Sequence, residues 1–231
     1  MRSRDIELLA ALARALRDRV APLQIAIDQA RLVDHDPVQR TESTAAAAQH
    51  AEVLAAFADE VLDLARIEQG RLALDRQSIE LAHLLDAALE LTRGACQPRH
   101  AVHVEMPDAG VRVVGDGRRL VQVFESLLHN AVARTPLGGR IVVTVAVDHA
   151  AGRVAMTFCD DGDALAGDAR ERAFASLFAP GGRGTGMYAV KRLVELHGGA
   201  VCAATDAAAR GAYTVELPCD GVARGSARNL Q

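Results

Sequence analysis

Apolar residues recur in steps of three and four from near the start of the chain: Ile6, Leu9, Ala13, Leu16, Val20, Leu23, Ile27 and Ala30. This heptad-like seam predicts a helix packed along its whole length. Pro22 lies inside it and, by removing one backbone donor, is expected to bend it. Residues 33–40, with Asp34, Asp36 and Pro37, read as a turn. A second seam follows through Ala47, His50, Leu54, Phe57, Val61 and Leu64, and Gly70 stops it. Two helices joined by a turn make a hairpin, which covers only one side of each seam. A homodimer completing a four-helix bundle is the expected assembly, and packing of the hairpin onto the rest of the chain is the alternative.

The periodicity changes from Ile79 onward. Leu81, Leu84, Leu85, Ala88 and Leu89 predict a helix, and residues 118–134 a strongly amphipathic one with Leu120, Val123, Phe124, Leu127 and Leu128 inward. Val102–Val104 and Val111–Val114 read as short strands around a turn at 107–110. Residues 140–147 and 153–159 read as alternating strands around a turn at 148–152. A helix over 187–197 and strands over 200–205 and 211–217 complete the pattern. The economical architecture is a mixed sheet with helices on one face. The expected fold class is α+β: a helical hairpin over residues 1–74, an α/β sandwich over 75–220 and a flexible tail over 221–231.

Composition narrows the function. The 231 residues carry 26 Lys and Arg against 30 Asp and Glu, a formal net charge of −4, with no basic stripe interleaved with aromatics; nucleic acid is not an expected partner. Aromatics make up 3% of the chain and Trp is absent, so aliphatic side chains must fill the core. Cys96, Cys159, Cys202 and Cys219 are widely spaced and point to neither a zinc site nor a disulfide framework. No leader and no uninterrupted apolar stretch is evident, so no membrane span and a soluble, cytoplasmic protein are expected.

The chemistry concentrates between Asp160 and Gly199. Gly182-Arg183-Gly184-Thr185-Gly186 leads into the apolar-periodic segment Met187, Val190, Leu193 and Val194. A glycine loop entering a helix N-terminus offers free backbone N–H groups and the positive end of the helix dipole to a phosphate. Upstream stand Asp160-Asp161-Gly162 and the helical run Leu127-Leu128-His129-Asn130-Ala131, continued by Thr135-Pro136. The motifs and their order resemble the core of bacterial sensor histidine kinases, a dimerisation hairpin followed by an ATPase-like catalytic domain. Residues 115–136 resemble that family's asparagine box, Asp160–Gly162 its first glycine box, Phe174–Phe178 its phenylalanine box and Gly182–Gly186 its second glycine box. Residues 58–74 resemble the end of the second hairpin helix, and the likeness covers about residues 5–218.

The resemblance implies ATP and Mg²⁺ as ligands. Asp160 would accept a hydrogen bond from the adenine amino group, Gly162 would let the backbone approach the base, and Asn130 would hold Mg²⁺. Gly182, Gly184 and Gly186 would lie along the phosphates. In bland readings Asp160 is a strand-end turn residue and Asn130 a polar position on a helix.

Departures from the family pattern weigh as much. Anchored on Pro22-Leu23, the phosphoacceptor word reads Arg17-Asp18-Arg19-Val20-Ala21-Pro22-Leu23. Arg17 stands where the family has its histidine, and a guanidinium has no lone pair with which to attack a phosphoryl group. Asp18 keeps a carboxylate at the general-base position with no imidazole to activate. Ala21 replaces the Thr or Asn that would orient water. His50 falls on the inward seam, His35 at the turn and His129 beside Asn130; none lies on the stripe Arg14, Arg17, Ala21, Gln24 and Asp28, the expected partner-binding face. Ser126, Ala133 and Ala164 replace residues of the nucleotide motifs. Only Ala179-Pro180-Gly181 separates Phe178 from the glycine loop, a short lid. The expectation is weak nucleotide binding and a catalytically impaired, dimeric relative that works by binding a response regulator or a sensor kinase. The alternatives are an active kinase acting on a partner's histidine, and a phosphotransfer protein with a decayed ATP domain.

Overall fold

The computed structural model describes residues 3–32, 36–96, 100–107, 110–163, 174, 186–205 and 210–222. These fall into two compact units: the first runs to Leu72 and also takes in Gly186, and the second holds the other described residues from Ala73 onward.

The first unit is a helical hairpin, α1 (Ser3–Leu32) and α2 (Pro37–Glu68). The helix α1 continues through Pro22. Residues 37–40, expected in the turn, instead form the first turn of α2. The Asp36 carboxylate accepts from the backbone N–H of Val38 at 3.0 Å and of Gln39 at 3.2 Å. Pro37 sits where a helix needs no N–H. The same Asp-Pro chemistry that signals a turn thus also starts a helix. Between the helices the interior is small on one side and large on the other. Ala15 and Ala26 of α1 are buried, as are Phe57, Leu64 and Ile67 of α2. The Arg19 guanidinium lies 4.0 Å from the centre of the Phe57 ring, a cation–π contact that brings its aliphatic stem inside. The predicted seam of α1 therefore divides. Leu16 and Ile27, both on it, remain 45% and 38% exposed, and Ile25 and Leu62 are exposed as well.

The second unit contains β1 (Gln77–Glu80), α3 (Leu81–Cys96), β2 (Ala101–Glu105), β3 (Val111–Gly115), α4 (Gly117–Arg134), β4 (Arg140–Asp148), β5 (Arg153–Asp160), α5 (Gly186–Leu196), β6 (Ala200–Thr205) and β7 (Gly211–Val222). The strands run β1-β3-β7-β5-β4-β2, with β6 also paired to β7. All pairs are antiparallel except β2 with β4, so the sheet is mixed, as expected. The segments at 101–105 and 111–115 are strands but not each other's partners. β2 adds parallel to β4, whereas β3 lies between β1 and β7. A short polar turn between two apolar runs does not by itself make a hairpin. The strand β1, only four residues long with three of them polar, carries no alternation by which sequence could have revealed it. β7 continues to Val222.

Alternation along the central strands builds the core. Ile141, Val143 and Val145 of β4 and Val154, Met156 and Phe158 of β5 are buried on one face, whereas Val142, Thr144 and Ala146 are partly or fully exposed. Against that face pack the buried Leu120, Val123, Phe124, Leu127, Leu128 and Ala131 of α4, with Phe124 and Phe158 ring centres 6.1 Å apart. Helix α3 lies against α4 and the β1–β3 edge through Leu81, Leu84, Leu85 and Ala88.

Candidate functional site

Helix α4 carries two stripes. One is apolar and buried; the other steps by four residues through Ser126, Asn130 and Arg134, so these three share a face. The helix is fixed at both ends. Asp116 caps its N-terminus, accepting from Arg119 N–H at 3.2 Å and, through its other oxygen, from Asp75 N–H at 3.2 Å. The Asp116 N–H itself donates to Nε2 of the buried His197 at 3.0 Å. His197 Nδ1 lies 2.7 Å from the Leu193 carbonyl. These partners require the neutral tautomer with its proton on Nδ1, and burial lowers the His197 pKa. At the other end Thr135 turns the chain, its hydroxyl donating to the Ala131 carbonyl at 2.7 Å.

On the polar stripe, Ser126 Oγ bends back to the Gln122 carbonyl at 2.9 Å. Asn130 differs: its Oδ1 is buried and has no hydrogen-bond partner among the described residues. A buried amide oxygen left unpaired costs free energy, about 1–3 kcal/mol. Oxygen is also the donor that Mg²⁺ takes. The residue therefore fits a hard cation.

Facing this stripe is the end of β5. Asp160 has a fully buried side chain. One of its oxygens accepts from Gly162 N–H at 3.0 Å and the other from Arg134 Nε at 3.1 Å. Arg134, itself 22% exposed, also donates through Nη2 to the Asp163 carbonyl. Burial raises the Asp160 pKa, and the hydrogen bond and positive charge of Arg134 oppose that rise. Its neighbour behaves oppositely. Asp161 accepts from Arg140 N–H at 2.8 Å and from Arg210 Nη1 at 3.1 Å; these contacts, the backbone one foremost, lower its pKa. Tyr213 lines the same region, with Phe174 edge-on to its ring at 5.9 Å; burial raises the phenol pKa.

Two glycines are required by close approach. A Cβ on Gly162 would stand 2.5 Å from the Arg134 carbonyl oxygen and 2.7 Å from Asp160 Oδ1, and one on Gly211 would strike the Arg134 guanidinium. Gly162 thus has a packing reason within the protein, independent of any base. Gly186 opens α5 with φ 70°, the left-handed region that favours glycine. Gly182, Gly184, Ala164, Phe178 and the short lid lie outside the described residues.

On the hairpin, Arg14, Arg17, Asp18, Ala21, Gln24 and Asp28 are all exposed. Except for Asp18 they form one stripe of α1, with Asp28 3.7 Å from Arg31 in a surface ion pair. Arg17 is thus a solvent-facing guanidinium where the resemblance places a phosphoacceptor. No helix among the described residues is long and apolar enough to cross a membrane.

Sequence reasoning brought Asn130, Asp160 and Gly162 to one place. It missed the role of Arg134 as the partner of Asp160. It also missed the His197–Asp116 link. The four-residue step from Asn130 to Arg134 was the available signal, because it puts both on one helix face.

The α/β sandwich sets a buried carboxylate at the end of a strand facing a helix stripe that carries a buried, unpaired amide oxygen. Residues 115–221 match the family of histidine kinase-, DNA gyrase B- and HSP90-like ATPases, and this match, with the histidine-kinase relatives below, supports a sensor-histidine-kinase ATPase domain in this part of the chain. The chain is 36% identical to the sensor protein DivL of Caulobacter vibrioides over 170 residues, 71% of this chain and 22% of DivL. The full-length ShkA structure in complex with AMPPNP is 26% identical, with a TM-score of 0.67 over 90% of this chain and 45% of ShkA. Histidine kinase ThkA in complex with the response regulator TrrA shares the fold at 18% identity, with a TM-score of 0.68 over 92% of this chain and 61% of ThkA. The chain spans 22% to 41% of the length of the first curated relatives it matches.

Proposed function

We propose that this chain works in two-component signalling as a dimeric, phosphoacceptor-less relative of histidine kinases, binding a response regulator or a sensor kinase rather than phosphorylating itself. The observation that carries this reading is Arg17: an exposed guanidinium on the outer stripe of α1, at the position of the acceptor histidine. A phosphoryl transfer to the chain has no nucleophile there. Asp18 beside it is equally exposed and has no imidazole to orient. The stripe Arg14, Arg17, Ala21, Gln24 and Asp28 then serves as a docking face. The apolar residues left exposed on the hairpin, Leu16, Ile25, Ile27 and Leu62, support a second copy as the cover that completes a four-helix bundle. Nucleotide binds at Asn130, Asp160 and Gly162, with Gly182, Gly184 and Gly186 toward the phosphates, and Asn130 supplies an oxygen to Mg²⁺. Binding is weak, and its role is to set the conformation that a partner meets.

The test is incubation of the full chain with Mg²⁺ and γ-labelled ATP, alone and with candidate partners. No acid-labile, base-stable label on this chain is expected. Such a label on its own histidines would overturn the proposal.

A second reading rests on the unpaired buried oxygen of Asn130, a metal ligand kept ready. If it holds Mg-ATP for chemistry, the chain phosphorylates a histidine on a partner, and label appears there only when both proteins are present. A phosphotransfer role, which needs the missing acceptor, has no observation in its favour.

A further inference from the structure

The carboxylate that the proposed nucleotide site would offer to a base is already taken by the protein itself. Asp160 has four lone-pair positions at most. Its side chain is fully buried, with Gly162 N–H on one oxygen at 3.0 Å and Arg134 Nε on the other at 3.1 Å. Arg134 is not a loosely held surface cation. It comes from the same helix stripe as Asn130, one turn on. Its Nη2 donates to the Asp163 carbonyl, and Gly211 leaves the guanidinium room that any Cβ would fill. A guanidinium is planar and permanently charged, and presents donors only. The wall that should accept a hydrogen bond from an amino group therefore carries a donor.

We infer that Arg134 is a specificity-determining residue: it occupies Asp160 in place of a purine 6-amino group, so the site does not select adenine over a 6-keto purine. This rests on the nucleotide-binding reading above and specifies the base chemistry of that same site. Adenine brings an amino donor to this position and hypoxanthine a carbonyl acceptor. With Arg134 engaged and the Asp160 side chain fully buried, the two remaining lone-pair positions are closed to a ligand, so the donor finds no reachable acceptor and the preference disappears. With Arg134 removed, Asp160 regains one charge-assisted acceptor position for the amino group, and the carbonyl faces a carboxylate. A bond of that kind is worth about tenfold or more in affinity.

Calorimetric titration of the full chain with ATP and with ITP, each with Mg²⁺ and at about pH 8 to favour the ionised carboxylate, reads this directly. In the unmodified protein the two affinities should agree within about threefold, less than the contribution of one such bond. In Arg134→Ala the ATP affinity should rise about tenfold while ITP gains nothing, so that the ratio becomes about tenfold or larger. Arg134→Gln, which keeps a donor for the Asp163 carbonyl, should shift the ratio in the same direction. Circular dichroism melts of each variant confirm that it is folded. An unmodified protein that already prefers ATP by about tenfold overturns the inference without any variant, and leaves the nucleotide site standing. So does a ratio unchanged in both folded variants. If neither nucleotide binds the unmodified protein or either folded variant, the nucleotide reading itself fails and the inference falls with it. ATP binding that emerges only in the variants supports both.

Discussion

Removing the Arg134 side chain should destabilise the second unit in a pH-dependent way. The Asp160 side chain is fully buried, while that of Arg134 is 22% exposed. Breaking a buried ion pair by deleting one partner costs about 3–5 kcal/mol, because an uncompensated charge is left inside. Two features reduce that figure here. The Gly162 N–H still serves one oxygen of Asp160, and the partial exposure of Arg134 weakens the original attraction. About 2–3 kcal/mol is the expected deficit of Arg134→Ala where Asp160 is ionised. The deficit must shrink in acid. Burial already raises the Asp160 pKa and Arg134 holds it down, so without Arg134 the native pKa rises further above the unfolded value of about 3.9. A native pKa above the unfolded one means that the folded state holds the proton more tightly. The variant therefore gains stability relative to the unmodified protein as pH falls through its own raised native pKa, and loses it as pH rises. Urea denaturation at about pH 8 and about pH 5 measures both limbs. Asp160→Asn, isosteric and uncharged, should cost no more than about 1 kcal/mol at either pH, since Arg134 keeps the Asp163 carbonyl as a partner and is partly exposed to water. An Arg134→Ala deficit that is the same at both pH values would refute the reasoning, because the stranded carboxylate would not be its source.

Other perturbations test the frame around the site. Phe124→Ala removes a fully buried ring that faces Phe158 and should cost about 3–5 kcal/mol in urea denaturation. Gly162→Ala should destabilise by at least about 2 kcal/mol, because the new Cβ meets the Arg134 carbonyl, a backbone atom that cannot give way; an unchanged denaturation midpoint would show that the turn relaxes freely. Asp116→Ala loses the cap of α4 and the Asp75 contact and should cost about 1–2 kcal/mol. Burial depresses the His197 pKa, so its contribution to stability is complete above the unfolded value of about 6.5 and is lost as pH falls below it; replacing it by Gln should remove that share of the acid sensitivity, read as the difference between the two pH–stability curves.

How much of this was legible in the sequence follows from which interactions are local. The amphipathic run of α4 and the alternation in β4 and β5 are one-dimensional patterns, and they fold as they read, because each buries the face that its period defines. β1 and the separation of β2 from β3 were not legible, because a short strand's partner is chosen by a sheet built from distant segments. The hairpin seam was legible as apolar spacing but not as a choice of faces. Within one chain Ala15 and Ala26 turn inward and Leu16 and Ile27 do not, which a repeat of three and four cannot decide. The site shows the same division. Asn130 and Asp160 announce themselves by type and motif, each in its own stretch of chain. The pairing of Arg134 with Asp160 spans 26 positions and carries no local mark. It is also the contact that alters the chemistry most, since it turns an acceptor wall into a neutralised pair. Motif reading gives the inventory of groups that a site contains. Which of those groups remain available to a ligand is settled by the three-dimensional hydrogen-bond arrangement, and here that arrangement leaves Asn130 open and Asp160 engaged.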